Sequence, residues 1–458
     1  TLGRLTVSGA LRFDHAWSWA PPQRLDSRFL RQPLVFDETP VVDSYKDITP
    51  RVAVAYDLFG TGRTAVKGTL GKYLESTITA SNYGLGNPTS RIAQNVSRTW
   101  ADGNGNWNPD CDLLNPAAQD FRGSGGDFCG VYSNVNFGTA TFSNTIDPEI
   151  LHGWGVRPSD WNWGVSIEHE VLPRVSVEAG FFHREFFGFT VVDNLAVDRD
   201  DFTGFAVTAP SDPRLRGGGG YTIGGLYDLA VPALAGVTNN YITYSDRYGE
   251  QYQRFNGMDL SVNARPRNGL TMQGGLSFGR STADNCEVRE QVPEVALLNP
   301  YCHVETGMLP QYKALGTYVI PQVDVQVSAT FTSKPGIQVS GFGTPVANGS
   351  LAANYVYSNA VIAPILGRNL SGNAPNITVN LLEPHERIGA RVNELNLRLG
   401  KIFRVGRTTS SVGLDLYNVL NAAPPLSYNQ AFIVGGSWLT PTSILSARFA
   451  KISAQFGF

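Results

Sequence analysis

Three features of the sequence predict an all-β fold, an antiparallel transmembrane β-barrel. Apolar and polar residues alternate over segments of about 9–12 residues, the length a tilted strand needs to cross a bilayer. Short and long connections between those segments alternate without exception. The composition is poor in charge (16%) and rich in aromatics (11%), yet no apolar run reaches the roughly 18 residues of a membrane-crossing helix. Of the 458 residues 42% are hydrophobic, which excludes intrinsic disorder. A formal charge of −3 points to no nucleic-acid partner.

The strands follow in order. Residues 1–7 contain neither a start Met nor a signal peptide and already read as strand, so the chain is expected to be a fragment or to have had an upstream segment removed. Leu5, Val7, Gly9, Leu11 and Phe13 oppose Thr6, Ser8, Ala10, Arg12 and Asp14. Val52, Val54, Tyr56 and Leu58 mark the second strand, and 64–74 the third. Trp161, Trp163, Val165 and Ile167 then oppose Asn162, Gly164, Ser166 and Glu168, followed by Val175, Val177, Ala179 and Phe181. Met258, Leu260 and Val262 begin the next pair, which Leu270, Met272, Leu276 and Phe278 complete. Two strands are expected over 311–320 and 322–332. Leu395, Leu397 and Leu399 precede Val412, Leu414 and Leu416, and the last strand carries Ala450, Ile452, Ala454, Phe456 and Phe458 on one face. That makes about twelve strands.

The connections decide where such a sheet belongs. Short ones fall at 59–62, 172–173, 266–269, near Pro321 and at 405–407, with the Gly, Pro and Asn-Gly (Asn268-Gly269) chemistry of tight hairpins. Long ones fall at 15–50, 75–159, 188–252, 281–310, 335–390 and 421–441. All long loops therefore lie on one side, as in outer-membrane barrels with short periplasmic turns and long external loops. One face carries Glu168, Glu178, Asp259, Arg265, Asp324, Glu394, Arg398, Asp415 and Lys451, and the other is almost free of charge. In a sandwich the apolar face is core; in a water-filled barrel it meets lipid while the polar face lines the lumen. The faces alone leave both open, and the loop asymmetry selects the barrel.

Cys111/Cys129 and Cys286/Cys302 lie close in sequence without zinc or thioredoxin spacing. Four cysteines allow three connectivities; the local one closes the smallest loops and predicts two disulfides in an oxidising compartment. The run from Asp102 to Asp112 places Asp102, Asn104, Asn106 and Asp110 at the alternating positions of a calcium loop, with Asp112 as a substitute ligand. Trp107 stands where such loops have Gly, and Leu113 where they have Glu, so the competing reading is an Asn/Gly/Asp-rich turn. The six histidines share no ligand spacing, and neither GxSxG nor HExxH occurs, so no enzyme chemistry is indicated. The glycine run at 217–220 lacks the following helix of a phosphate cradle and reads as a flexible loop. Trp161, Trp163, Phe181, Phe182, Phe186, Phe187 and Phe189 are expected to form an aromatic girdle at the membrane interface, with sheet core as the alternative.

The segment Asp415-Leu416-Tyr417-Asn418-Val419-Leu420-Asn421, then Trp438, Arg448 and the alternating run to Phe458, resembles the last two strands of TonB-dependent outer-membrane receptors. Phe456 and Phe458 resemble the C-terminal signal such barrels present to the assembly machinery. The stretches Pro50-Arg51-Val52-Ala53-Val54-Ala55-Tyr56-Asp57-Leu58 and Val66-Lys67-Gly68-Thr69-Leu70-Gly71-Lys72-Tyr73 are similar to hairpins of the large Oar-like receptors with a carboxypeptidase-regulatory-like domain. The resemblance implies a 22-stranded barrel, an N-terminal plug and a TonB box. Residues 1–458 would then be the C-terminal half of the barrel, with plug and N-terminal strands elsewhere and no second domain. It implies outer-membrane lipid, the plug, the TonB complex and the assembly machinery as partners, and an external ligand bound at the long loops and admitted in a TonB-dependent way. The competing expectations are a secreted β-rich carbohydrate-binding protein or hydrolase, and a structural or adhesive surface barrel.

Overall fold

The computed structural model describes residues 2–27, 30, 32–76, 82–339, 350–405 and 408–457. The alternating segments become twelve long strands: β1 (Leu5–Ala16), β2 (Ser44–Asp57), β3 (Thr64–Leu74), β4 (Ser159–Leu172), β5 (Val175–Phe187), β6 (Tyr252–Ala264), β7 (Leu270–Asp284), β8 (Gln311–Ile320), β9 (Val325–Lys334), β10 (Val392–Val405), β11 (Thr408–Tyr417) and β12 (Phe449–Gly457). Each pairs antiparallel with the next in chain order, so the sheet is a plain meander. Among the described residues no pairing joins β1 to β12, and the sheet is open. Two short strands extend it on the loop side, His152–Trp154 parallel to β2 and His303–Glu305 antiparallel to β7.

The turns show how local chemistry sets the hairpins. After β2 the Asp57 carboxylate accepts the N–H groups of Gly60 (2.9 Å) and Gly62 (2.8 Å), a side chain closing its own turn. Between β4 and β5 Arg174 takes φ 64°, the left-handed backbone of a two-residue hairpin. Three boundaries differ from those expected. The second strand begins at Ser44, not after 50, because residues 45–50 pair with residues 11–16 of β1. The ninth strand begins at Val325, not 322, because Pro321 has no N–H to pair and Asp324 turns with φ 49°. The last long connection runs to 448, not 441, because Pro425–Tyr428 and Pro441–Ile444 pair with each other within it. Gly406 and Arg407 of the expected 405–407 turn lie outside the described residues.

Register places each face unambiguously. Val7, Leu11, Val52, Leu70, Val165, Met258, Leu260, Leu399 and Leu414 are all exposed on one side, with Ile452 79% exposed. On the other side Lys67 lies between Glu168 (2.6 Å) and Glu178 (3.6 Å), and Arg398 meets Asp415 (3.0 Å), which stands opposite Lys451. Toward the loops the apolar side ends in a polar belt: His183 to Asn256 (2.8 Å), Glu185 to Arg254 (2.7 Å) and Arg280 to Glu305 (3.1 Å).

The main buried core is not in the sheet. It is built from three long connections, with Leu226 and Val207 from 188–251, Val339, Ile362, Val379, Leu381 and Leu382 from 335–391, and Phe432 and Trp438 from 418–448. A sheet whose one face meets lipid and other meets water has no second layer to pack against, so apolar side chains that avoid both solvents collect in the loops.

Candidate functional site: the polar wall and its loop canopy

The polar face of β4 to β7 is a wall built on small residues. Phe182 lies over Gly164 and Gly180, where an added Cβ would come within 2.7 and 3.0 Å of its ring. Phe255 lies over Gly257 and Gly279 in the same way, at 2.7 and 2.6 Å. Glycine here supplies space, letting an aromatic ring lie flat on the sheet and cover the backbone. Above this wall opens a cleft of 500 Å³, lined by Phe182, Phe255, Asp259, Gln311 and Lys334 and roofed by 306–309 and 335–338. It offers two aromatic faces, an acid, an amide and an ammonium to whatever enters.

The canopy is held by polar bonds between distant loops. Arg214 makes a two-pronged contact with Asp212 (2.9 and 2.8 Å) and donates to the carbonyls of Gly436 (2.7 Å) and Ile433 (2.9 Å). The Arg214 guanidinium, with the N–H groups of Arg214 and Gly435, holds the Asp212 carboxyl well below the usual carboxylate range. The guanidinium groups of Arg214 (5.6 Å) and Arg387 (5.2 Å) both lie against the Trp438 ring, and its Nε1 donates to the Ala352 carbonyl (2.8 Å). The Tyr221 hydroxyl donates to the Leu381 carbonyl (2.6 Å), and burial, reinforced by Glu386, pushes its pKa up to about 12. The 217–220 glycines, read as a flexible loop, form a tight left-handed bend. All four have positive φ, and a Cβ on Gly219 would sit 1.9 Å from the Pro210 carbonyl oxygen.

Both expected disulfides, Cys111–Cys129 and Cys286–Cys302, are formed, with Cα atoms 6.4 and 4.8 Å apart. Around the first, Asp127 organises the loop. Its carboxylate accepts from Trp100 Nε1 (2.9 Å) and from the N–H groups of Gly103 (2.9 Å) and Asp110 (3.1 Å). These bonds, that of Trp100 foremost, hold its pKa below the ordinary value. Asp127 has no motif of its own in the sequence; its only signal is an acid in a glycine-rich stretch beside Cys129.

The proposed calcium ligands engage the backbone. Asp102 accepts from Gly105 (2.7 Å) and Trp107 (2.9 Å), Asn104 from Asn106 (3.0 Å), and Asn106 from Asn108 (2.7 Å). Asp110 accepts the side-chain amides of Asn104 (2.5 Å) and Asn106 (3.4 Å), whereas Asp112 caps Leu114 (2.9 Å). Among the described residues no group of three or more His, Cys, Asp or Glu is disposed to hold a metal. Trp107 stands 85% exposed at the tip with φ 59°.

The aromatic set divides between faces. Register puts Trp161, Trp163, Phe181 and Phe187 on the apolar side, where Trp163 and Phe187 are exposed, while Phe182 and Phe186 belong to the polar wall and Phe189 follows the strand. Adjacent phenylalanines must point to opposite faces of a strand, so the seven cannot form one girdle. Phe456 is 65% exposed on the apolar side; Phe458 lies outside the described residues.

A meander sheet with an apolar outer face, a charged inner face and its long loops on one side is the wall of an outer-membrane β-barrel. The chain belongs to the outer membrane beta barrel domain family, whose match covers residues 4–308. Among solved structures it is similar to the FrpB iron transporter from Neisseria meningitidis in its apoprotein form (10% identity, TM-score 0.44, covering 99% of this chain and 43% of that one). It is also similar to the ferric-catecholate import receptor Fiu from E. coli K12 in its closed form (11%, 0.41, 99% and 42%). The outer membrane transporter YddB from Escherichia coli is a third (9%, 0.42, 99% and 52%). The chain thus spans less than half the length of the first two. Comparison with curated proteins returns no match.

Proposed function

We propose that the chain is the C-terminal half of a TonB-dependent receptor barrel of the Oar-like type, which binds an external ligand at its loops and admits it past a plug. The observation that carries this reading is the open sheet. Among the described residues β1 and β12 each present an unpaired edge, while one face is apolar and exposed. In hydrocarbon an unpaired strand edge leaves its N–H and C=O groups unsatisfied, so further strands must close the wall. Missing N-terminal strands and a plug supply that closure and fill the lumen, and the canopy over the 500 Å³ cleft is the first surface an external solute meets. The TonB complex acts through the plug, and the assembly machinery reads the terminal aromatic strand that ends past Phe456.

The test is fractionation and pull-down of the protein encoded by the complete reading frame, using the periplasmic domain of TonB as probe. The reading expects extraction from outer membranes by detergent alone and capture by TonB. A chain that stays soluble and monomeric without detergent removes the membrane assignment. A detergent-extracted barrel that ignores TonB removes the transport mechanism and leaves a structural surface barrel.

A further inference from the structure

At the loop end of the polar face, a cavity of 330 Å³ opens between β1, β2, β3 and the segment leading into β4. It is lined by Arg12, Asp14, Thr49, Arg51, Glu75 and Arg157 among others. Its charges are matched unevenly. Arg12 reaches Asp14 (2.5 Å), and Arg157 donates to the buried Asp47 (3.1 Å). Arg51 forms no ion pair among the described residues; its guanidinium rests 4.5 Å over the ring of Tyr73. Thr49, two residues before it on the same face, is 3% exposed, and its hydroxyl has no hydrogen-bond partner. A buried hydroxyl left unpaired is costly and rare in a folded protein. An arginine fork with its donors free is suited to a planar or tetrahedral oxyanion.

We propose that this cavity is an oxyanion subsite, in which Arg51 takes a carboxylate or phosphate group of a small ligand through paired N–H donors and the Thr49 hydroxyl donates to the same group. Asp14 is neutralised by Arg12. Burial raises the pKa of Glu75 against the pull of Arg157. The position suits a solute that has passed the canopy and entered the lumen. The assignment rests on the polar face lining a lumen, and it names the ligand chemistry that face selects.

The experiment is isothermal titration of the full-length protein, folded in detergent micelles, with inorganic phosphate and separately with citrate. The subsite predicts saturable binding of at least one anion, weakened at least tenfold in R51Q and several-fold in T49V. R174Q, in the turn at the opposite end of the wall, leaves it unchanged. Binding of phosphate alone or of citrate alone supports the subsite and names the group it takes. No saturable binding of either anion to the wild type, or undiminished binding in R51Q, overturns it. Heat-modifiable migration on gels verifies that each variant is folded, and T49V keeps the test available where R51Q does not fold. The readout is equilibrium binding, so anion binding without transport sinks the transporter reading alone, and transport without anion binding sinks the subsite alone.

Discussion

Replacing Val165 with arginine tests the assignment of faces. Val165 lies near the middle of the 14-residue β4, is 51% exposed, and stands in register with Gly68 on β3 and Phe181 on β5. Its exposed surface therefore faces the hydrocarbon near mid-depth. The nearest acid on that side by register is Glu185, opposite Trp161, four residues up the strand. At about 3.3 Å per residue that is roughly 13 Å, beyond the reach of an arginine side chain. With no partner available, V165R should cost about 2–4 kcal/mol, the range for arginine at the midplane of an outer-membrane barrel. The control is S261R on the polar face, where Ser261 stands opposite Glu178 and Gly275, so the new cation gains an acid and finds room. Its cost should stay below about 1 kcal/mol. Urea unfolding in phospholipid vesicles, followed by gel mobility, measures both. Equal costs, or a larger one for S261R, would refute the orientation of the sheet.

Other outcomes follow from particular contacts. Reducing Cys111–Cys129 and Cys286–Cys302, which close segments with separations of 18 and 16 residues, should loosen each loop by about 3 kcal/mol. Limited proteolysis should then cut the loops and leave the strands intact. The Asp127 carboxyl has a folded pKa below its unfolded value near 3.9. The stability it contributes is therefore present above about pH 4 and lost as pH falls through the lower folded pKa. Trp100 fluorescence should stay constant from neutrality to about pH 4 and change only in stronger acid, and D127N should abolish that acid transition. Gly279→Ala pushes a methyl into the Phe255 ring and should cost about 1–3 kcal/mol. The double variant with F255A should recover part of that loss in unfolding titrations. Calcium at 100 times its Kd for the 102–112 loop would add about 2.7 kcal/mol, so a stabilisation of that size in unfolding titrations would establish the site. The backbone bonds already held by Asp102, Asn104 and Asn106 lead us to expect none.

Much of the fold was legible because a strand between lipid and water has to alternate. Val165 and Ser166 declare their faces by composition alone, and Asn268-Gly269 declares its turn. Both disulfides were legible from sequence proximity. The loop core was not, because Leu226, Leu381 and Trp438 come from three segments far apart and share no period. The division of Phe181 from Phe182 was open to a strict count of alternation, and the glycines at 164 and 180 were the signal that one ring turns inward. Arg51 was read only as part of a hairpin motif. Its lack of an ion pair depends on Arg12 taking Asp14 and Arg157 taking Asp47, which no local pattern announces.

The central claim is that one face of this sheet meets lipid and the other water. Spin labels placed singly at residues 161 to 168 of β4, in the full-length protein in outer-membrane vesicles, test it directly through collision with oxygen and with a water-soluble nickel chelate. The account predicts a period of two, with 161, 163, 165 and 167 favouring oxygen and 162, 164, 166 and 168 favouring the chelate. Equal access of the chelate to both sets would contradict it.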